Sequence, residues 1–130
     1  MTWLKLLQNI IHYSNHLLVP GLLAWLFFPK DWKKAWVVMI LSMAVDLDHL
    51  LASPIFDPNR CGIGFHPLHT PYAMVVYVVM LWAKKAEIRM LAVGLLFHMI
   101  TDTIDCLFMF AQCDGCYAKS ALKSWLWIFH

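Results

Sequence analysis

Lys34-Ala-Trp-Val-Val-Met-Ile-Leu-Ser-Met-Ala-Val-Asp46-Leu-Asp48-His49-Leu-Leu51 is an apolar run that ends in two carboxylates and an imidazole. A short loop later the chain reads His66-Pro-Leu-His69. Acids and histidines are expensive in lipid, so such a cluster beside an apolar segment marks a functional site by default. If the run is a membrane segment, the chain is a helical membrane protein with a polar site at one end of its helices.

Composition supports that reading. The chain has 130 residues, of which 62% are hydrophobic and only 14% charged, and its mean hydropathy is +0.64. Soluble domains run nearer half apolar and a quarter charged, so the expectation is an all-α integral membrane protein of one domain. A net charge of +2 without a basic stripe gives no reason to expect nucleic acid as a partner. The seven tryptophans lie mostly near segment ends, as in interfacial aromatic belts.

Working outward, four segments approach the roughly 20 residues that a bilayer crossing needs. They are about 4–28 (with Pro20-Gly21 as a kink), 34–51, 67–83 and 88–110. The polar breaks at Gln8, Asn9, His12, Asn15 and His16, and the lack of a small-residue cleavage site, make the first a helix of the mature protein. The tail 111–130 alternates Lys119 and Lys123 with Leu122, Trp125, Leu126 and Phe129, which predicts a short interfacial amphipathic helix. Lys30, Lys33, Lys34, Lys84, Lys85 and Arg89 crowd two short loops, against Lys5, Arg60, Lys119 and Lys123 on the other side. The positive-inside rule then puts both termini and the 54–65 loop outside the cytoplasm, on the periplasmic face of a bacterial inner membrane.

Alternating helix direction brings the polar residues to one depth. His12 and His16 share a face of the first helix, and Asp46 and His49 a face of the second. Asp48 points elsewhere on an ideal α-helix. His66 and His69 stand at the entrance of the third, and His98, Asp102 and Asp105 form one stripe on the fourth. Histidine and carboxylate suit Zn²⁺, Mn²⁺ or Fe²⁺. The expected ligand pool is His12, His16, Asp46, His49, His66, His69, His98 and Asp102, for one or two divalent ions, zinc first. Asp48, Asp105 and Arg60 are the candidate catalytic side chains, the acids for proton transfer and Arg60 for an anionic group. The plainer alternatives are polar contacts between helices for His12, a helix-end or Arg60 contact for Asp48, and an outer-shell place for Asp105. Four cysteines allow three pairings. Cys61–Cys106 with Cys113–Cys116 is the first expectation on an oxidising side, against free thiols if the orientation is reversed.

Asp46-Leu-Asp48-His49, His66-Pro-Leu-His69-Thr70 and His98-Met-Ile-Thr-Asp102 together resemble, in order, the motifs of the YdjM-like membrane-bound metal-dependent hydrolases. The stretch from Asp57 to His69 is closer to a small, uncharacterised family of bacterial membrane proteins. The resemblance runs to about Cys106. It implies a metal held by His16 or His12, Asp46, Asp48, His49, His66, His69, His98 and Asp102. The His-x-x-His spacing and Thr70 depart from the larger group, which has a longer His–His spacing and Ser.

The expected function is a membrane-embedded metal-dependent hydrolase of a lipid or phosphate ester near the outer leaflet. Its partners are the bilayer and that substrate, with a homodimer or a place in a larger membrane complex left open. A di-iron membrane oxidoreductase is the second reading, although no adjacent His-His pair occurs. A haem- or pigment-binding protein or an accessory subunit is the third, and it leaves the four aspartates unexplained.

Overall fold

The computed structural model describes residues 2–55, 57 and 59–127. It contains α1 (Thr2–Phe27), α2 (Trp32–Leu41), α3 (Pro71–Met80), α4 (Ala86–Gln112), α5 (Cys116–Lys119) and α6 (Ala121–Trp127). Two 3-10 segments, Ser42–Leu51 and Pro67–His69, supply the remaining helix, and no strand occurs among the described residues.

Four long helices were expected, and two are found. Among the described residues, only α1 and α4 contain a stretch long and apolar enough to cross a membrane. The expected second span is α2 to Leu41 and then a ten-residue 3-10 segment. The expected third is a three-residue 3-10 turn, a break at Thr70 and the ten-residue α3. Pro71 and the Thr70 cap explain that break: Thr70 Oγ1 accepts from the Ala73 amide, and proline favours the first helical position. Of the tail, the expected helix is present as α5 and α6, while 128–130 lie outside the described residues.

The change from α to 3-10 at Ser42 has a visible cause in packing. Gly94 of α4 faces the transition, and a Cβ there would lie 2.7 Å from Ser42 Oγ and 2.9 Å from Met39 Cα. The absent side chain lets the two backbones approach, while Ser42 Oγ donates to the Met39 carbonyl at 2.6 Å. Burial along the 3-10 segment then repeats every three residues. Ser42, Val45 and Asp48 are buried, whereas Leu41, Ala44, Leu47 and Leu50 are exposed. A period of three is that of a 3-10 helix. Polar side chains inside and leucines outside invert the soluble pattern.

α1 and α4 pack against α2, and α3 lies along α4. One core, Ala24, Ala35, Met39 and Met90, ties α1, α2 and α4 together near the loops that begin α2 and α4. A second, including Val45, Ile63, Tyr77, Leu95, Met99 and the Cys61–Cys106 disulfide, lies towards the polar end. α1 continues through Pro20, which removes the N–H that would bond the His16 carbonyl. At the next residue, the Leu17 carbonyl accepts from Trp36 Nε1 at 2.9 Å. The tail folds back to the 54–65 loop, where Trp125 Nε1 donates to the Gly64 carbonyl at 3.2 Å. Gly64 has φ +78°, and a Cβ would sit 2.5 Å from the Trp125 ring. Conformation and space both require glycine there.

Candidate metal centre

Four side chains converge at the polar end. Asp46 comes from the long 3-10 segment, His69 from the short one, and His98 and Asp102 from successive turns of α4. His98 Nε2 lies 3.0 Å from Asp46 Oδ1 and 3.4 Å from Asp102 Oδ2. His69 Nε2 lies 3.3 Å and 3.2 Å from the same two oxygens. The two Nε2 atoms are 3.4 Å apart.

These distances test the fit of an ion. Metal–nitrogen and metal–oxygen bonds of roughly 2.0–2.1 Å, meeting at tetrahedral angles, put neighbouring donors about 3.3 Å apart. The five distances fall close to that edge. Two facing Nε2 atoms form no good hydrogen bond when both carry a proton, whereas two lone pairs aimed at one cation are satisfied. The group can therefore hold a divalent ion.

The ligand atoms are unequally supported. His69 Nδ1 is 3.0 Å from Asp48 Oδ2, which also accepts the Leu68 amide at 2.9 Å. A carboxylate behind an imidazole fixes its tautomer and leaves Nε2 free for an ion. Asp48 is therefore turned away from the four-donor group and acts through His69. Its other oxygen meets His49 Nδ1 at 3.1 Å, so Asp48, His49 and His69 form a second, overlapping cluster. His98 lacks such a brace. Its Nδ1 is buried without a hydrogen-bond partner among the described residues, beside a cavity of about 10 Å³ lined partly by Asn15, His16 and Ser42.

The other expected ligands lie around this centre. His16 is buried, with its ring centroid 5.0 Å from that of His98 and 4.4 Å from that of His12. His12 Nδ1 is hydrogen-bonded to Asp105 Oδ2. His66 is buried and stacks on His49 at 3.8 Å between centroids. Burial lowers its pKa, and the neighbouring His49 acts in the same direction. So α1 contributes no side chain to the four-donor group, although all four segments were expected to supply ligands.

A cavity of about 390 Å³ opens over the centre. Asp46 and Asp102 line it together with His49, His12 and Asp105, and the wall includes Arg60 and the half-cystines Cys61 and Cys106. Arg60 donates to the carbonyls of Pro54 and Ile55 at 2.8 and 3.0 Å and lies over the Phe65 ring. Both bonds use one terminal nitrogen, so other guanidinium N–H groups remain for the cavity. Gln8 stood out in the sequence only as a polar break in the first segment, and Gln112 carried no signal there. Gln8 Nε2 donates to Asp105 Oδ1 at 3.4 Å, and Gln112 Nε2 to Gln8 Oε1 at 3.0 Å. Gln8 was legible as the residue one turn before His12 on the stripe that continues through His16.

An all-helical fold among the described residues, with a His₂Asp₂ group beside an open cavity, defines the class: a helical protein with side chains that could hold a metal ion. The chain belongs to DUF6122, a family of unknown function whose model matches residues 6–109. No curated protein and no solved structure matches it. The matched region contains every residue of the centre and of its cavity wall.

Proposed function

We propose that this protein is a membrane-embedded, metal-dependent hydrolase of a lipid or phosphate ester. The observation that carries the reading is the convergence of Asp46, His69, His98 and Asp102 at ligand spacing, with the two carboxylates lining an open cavity. A structural zinc site is normally closed, whereas a catalytic one keeps a position for water. Here Asp46 is 41% exposed and Asp102 15%, against 0% for His69 and 2% for His98. The open face is thus the carboxylate face. A bound divalent ion would supply Lewis acidity there and lower the pKa of coordinated water. Arg60 stands in the cavity wall to receive an anionic group. Zinc fits the tetrahedral spacing; manganese and iron suit the two oxygen donors equally well. The order of the His and Asp motifs resembles that of membrane-bound metal-dependent hydrolases, which favours hydrolysis over the oxidoreductase and pigment readings.

Membrane embedding has its own support. Only 17% of the apolar window of α1 and 39% of that of α4 are buried, which suits helices that face lipid along much of their length. α2 with its 3-10 extension would span about 35 Å at the usual rises per residue, enough for a third crossing. α3 is the short one, and a fourth crossing needs the flanking turns. Both disulfides suit an oxidising outer face for the 54–65 loop.

The test is elemental analysis of protein purified in detergent without chelator, followed by assay of phosphate- and carboxylate-ester hydrolysis with and without added Zn²⁺ or Mn²⁺. About one ion per chain and metal-dependent release of product are expected. A metal-free protein that takes up neither ion would end the proposal.

A further inference from the structure

The cavity is lined by a second pair of titratable side chains, His12 and Asp105, beside the carboxylates Asp46 and Asp102. His12 Nδ1 bonds Asp105 Oδ2, and Gln8, itself held by Gln112, occupies Asp105 Oδ1. Both carboxylate oxygens are thus committed, and the imidazole is oriented by its Nδ1. Nε2 is the ring nitrogen left over, on a half-buried side chain that lines the cavity. His12 is absent from both groups of candidate ligands, and α1, which carries it, supplies nothing to the centre. A histidine held by a carboxylate at one nitrogen and free at the other is the arrangement proton transfer needs.

We propose that His12 is the proton donor to the leaving group, with Asp105 as its positioning partner and Gln8 and Gln112 fixing Asp105. The inference rests on the hydrolase reading and assigns a role that reading leaves vacant, since Asp48 is committed to His69. In the step, the oxygen of water bonds to phosphorus and the ester P–O bond breaks. The electron pair of that bond stays on the departing oxygen, which takes the Nε2 proton of His12 and leaves as an alcohol. The attacking water loses its proton to solvent in the cavity, and solvent reprotonates His12, so each turnover consumes one water and returns the enzyme unchanged.

Leaving-group dependence tests it. An aryl phosphate departs as a stable phenolate and needs little protonation, whereas an alkyl phosphate departs as a strongly basic alkoxide. 4-Nitrophenyl phosphate and an alkyl phosphate in mixed micelles are compared with metal-loaded wild-type protein, His12→Gln and Asp105→Asn. For His12→Gln, a loss of kcat on the order of 100-fold is expected on the alkyl ester, with a much smaller loss on the aryl ester and unchanged metal content. Asp105→Asn should show the same selectivity with a smaller loss. Equal losses on both esters would overturn the role, and loss of metal in His12→Gln would make His12 a ligand instead. Wild-type protein that binds metal but cleaves neither ester would remove the phosphate-ester form of the hydrolase reading, and the donor role with it.

Discussion

At the scale of single residues, the arrangement separates ligands from braces. Asp46→Ala removes a donor from the cavity floor and should abolish stoichiometric metal binding while leaving the helical fold, as measured by elemental analysis beside circular dichroism. Asp48→Asn should act differently. It keeps the size of the side chain but weakens the hold on His69 Nδ1, so metal affinity should fall about 10–100-fold, the usual effect of losing such a partner. A competition titration with a chelating dye measures it, and equal affinities in wild type and Asp48→Asn would show that His69 needs no carboxylate behind it. All four candidate donors were legible in the sequence, because His98/Asp102 and Asp46/His49 are pairs that share a helix face and His66-Pro-Leu-His69 places two imidazoles at one segment end. The division of labour was not. On an α-helix Asp46 and Asp48 diverge by about 160°, which sends Asp48 elsewhere; on a 3-10 helix they diverge by about 120°. That smaller angle lets the two carboxylates reach the two nitrogens of one imidazole, His69.

At the scale of elements, the unread feature was the 3-10 segment itself. Ser42–Leu51 has the composition of a membrane α-helix, and nothing local forces a tighter winding. The cause is a partner distant in sequence, Gly94, whose missing side chain admits Ser42 and Met39. Length and apolarity therefore located the segment, while its winding depended on a neighbour that hydropathy does not register. Gly94→Leu should consequently cost about 1–3 kcal/mol, as overpacking does, and also displace Asp46 from the two α4 ligands. Loss of metal affinity together with a lowered thermal midpoint is the expected result. A variant as stable as wild type with intact metal binding would show that the close approach is dispensable. The tail posed a similar problem. Its amphipathic pattern was readable, but its docking depends on Gly64, whose positive φ and contact with Trp125 appear only in three dimensions.

At the scale of the whole molecule, polarity is sorted from end to end. Lys30, Lys33, Lys34, Lys84 and Lys85 gather at the loops that begin α2 and α4, while the His/Asp centre and both disulfides lie at the opposite end. Large apolar side chains such as Leu18, Leu22, Val37 and Val75 project outward between the ends, each more than half exposed. On the proposed membrane reading, the basic loops would face the cytoplasm and the cavity the far side. The Cys61–Cys106 bridge then does more than fasten a loop. It joins Cys61, next to the Gly62 that backs His49 and His66, to α4 one turn beyond Asp102. Reduction should free the 54–65 loop from α4, widen the cavity and withdraw Arg60, at a stability cost of about 2–5 kcal/mol. Protein isolated from membranes under thiol-blocking conditions should accordingly carry no reactive thiol after denaturation, and Cys61→Ser with Cys106→Ser should melt lower yet retain the Asp46, His69, His98 and Asp102 ligands and their ion. Four reactive thiols in the untreated protein would reverse the orientation, placing the cavity in the cytoplasm and its substrate in the inner leaflet.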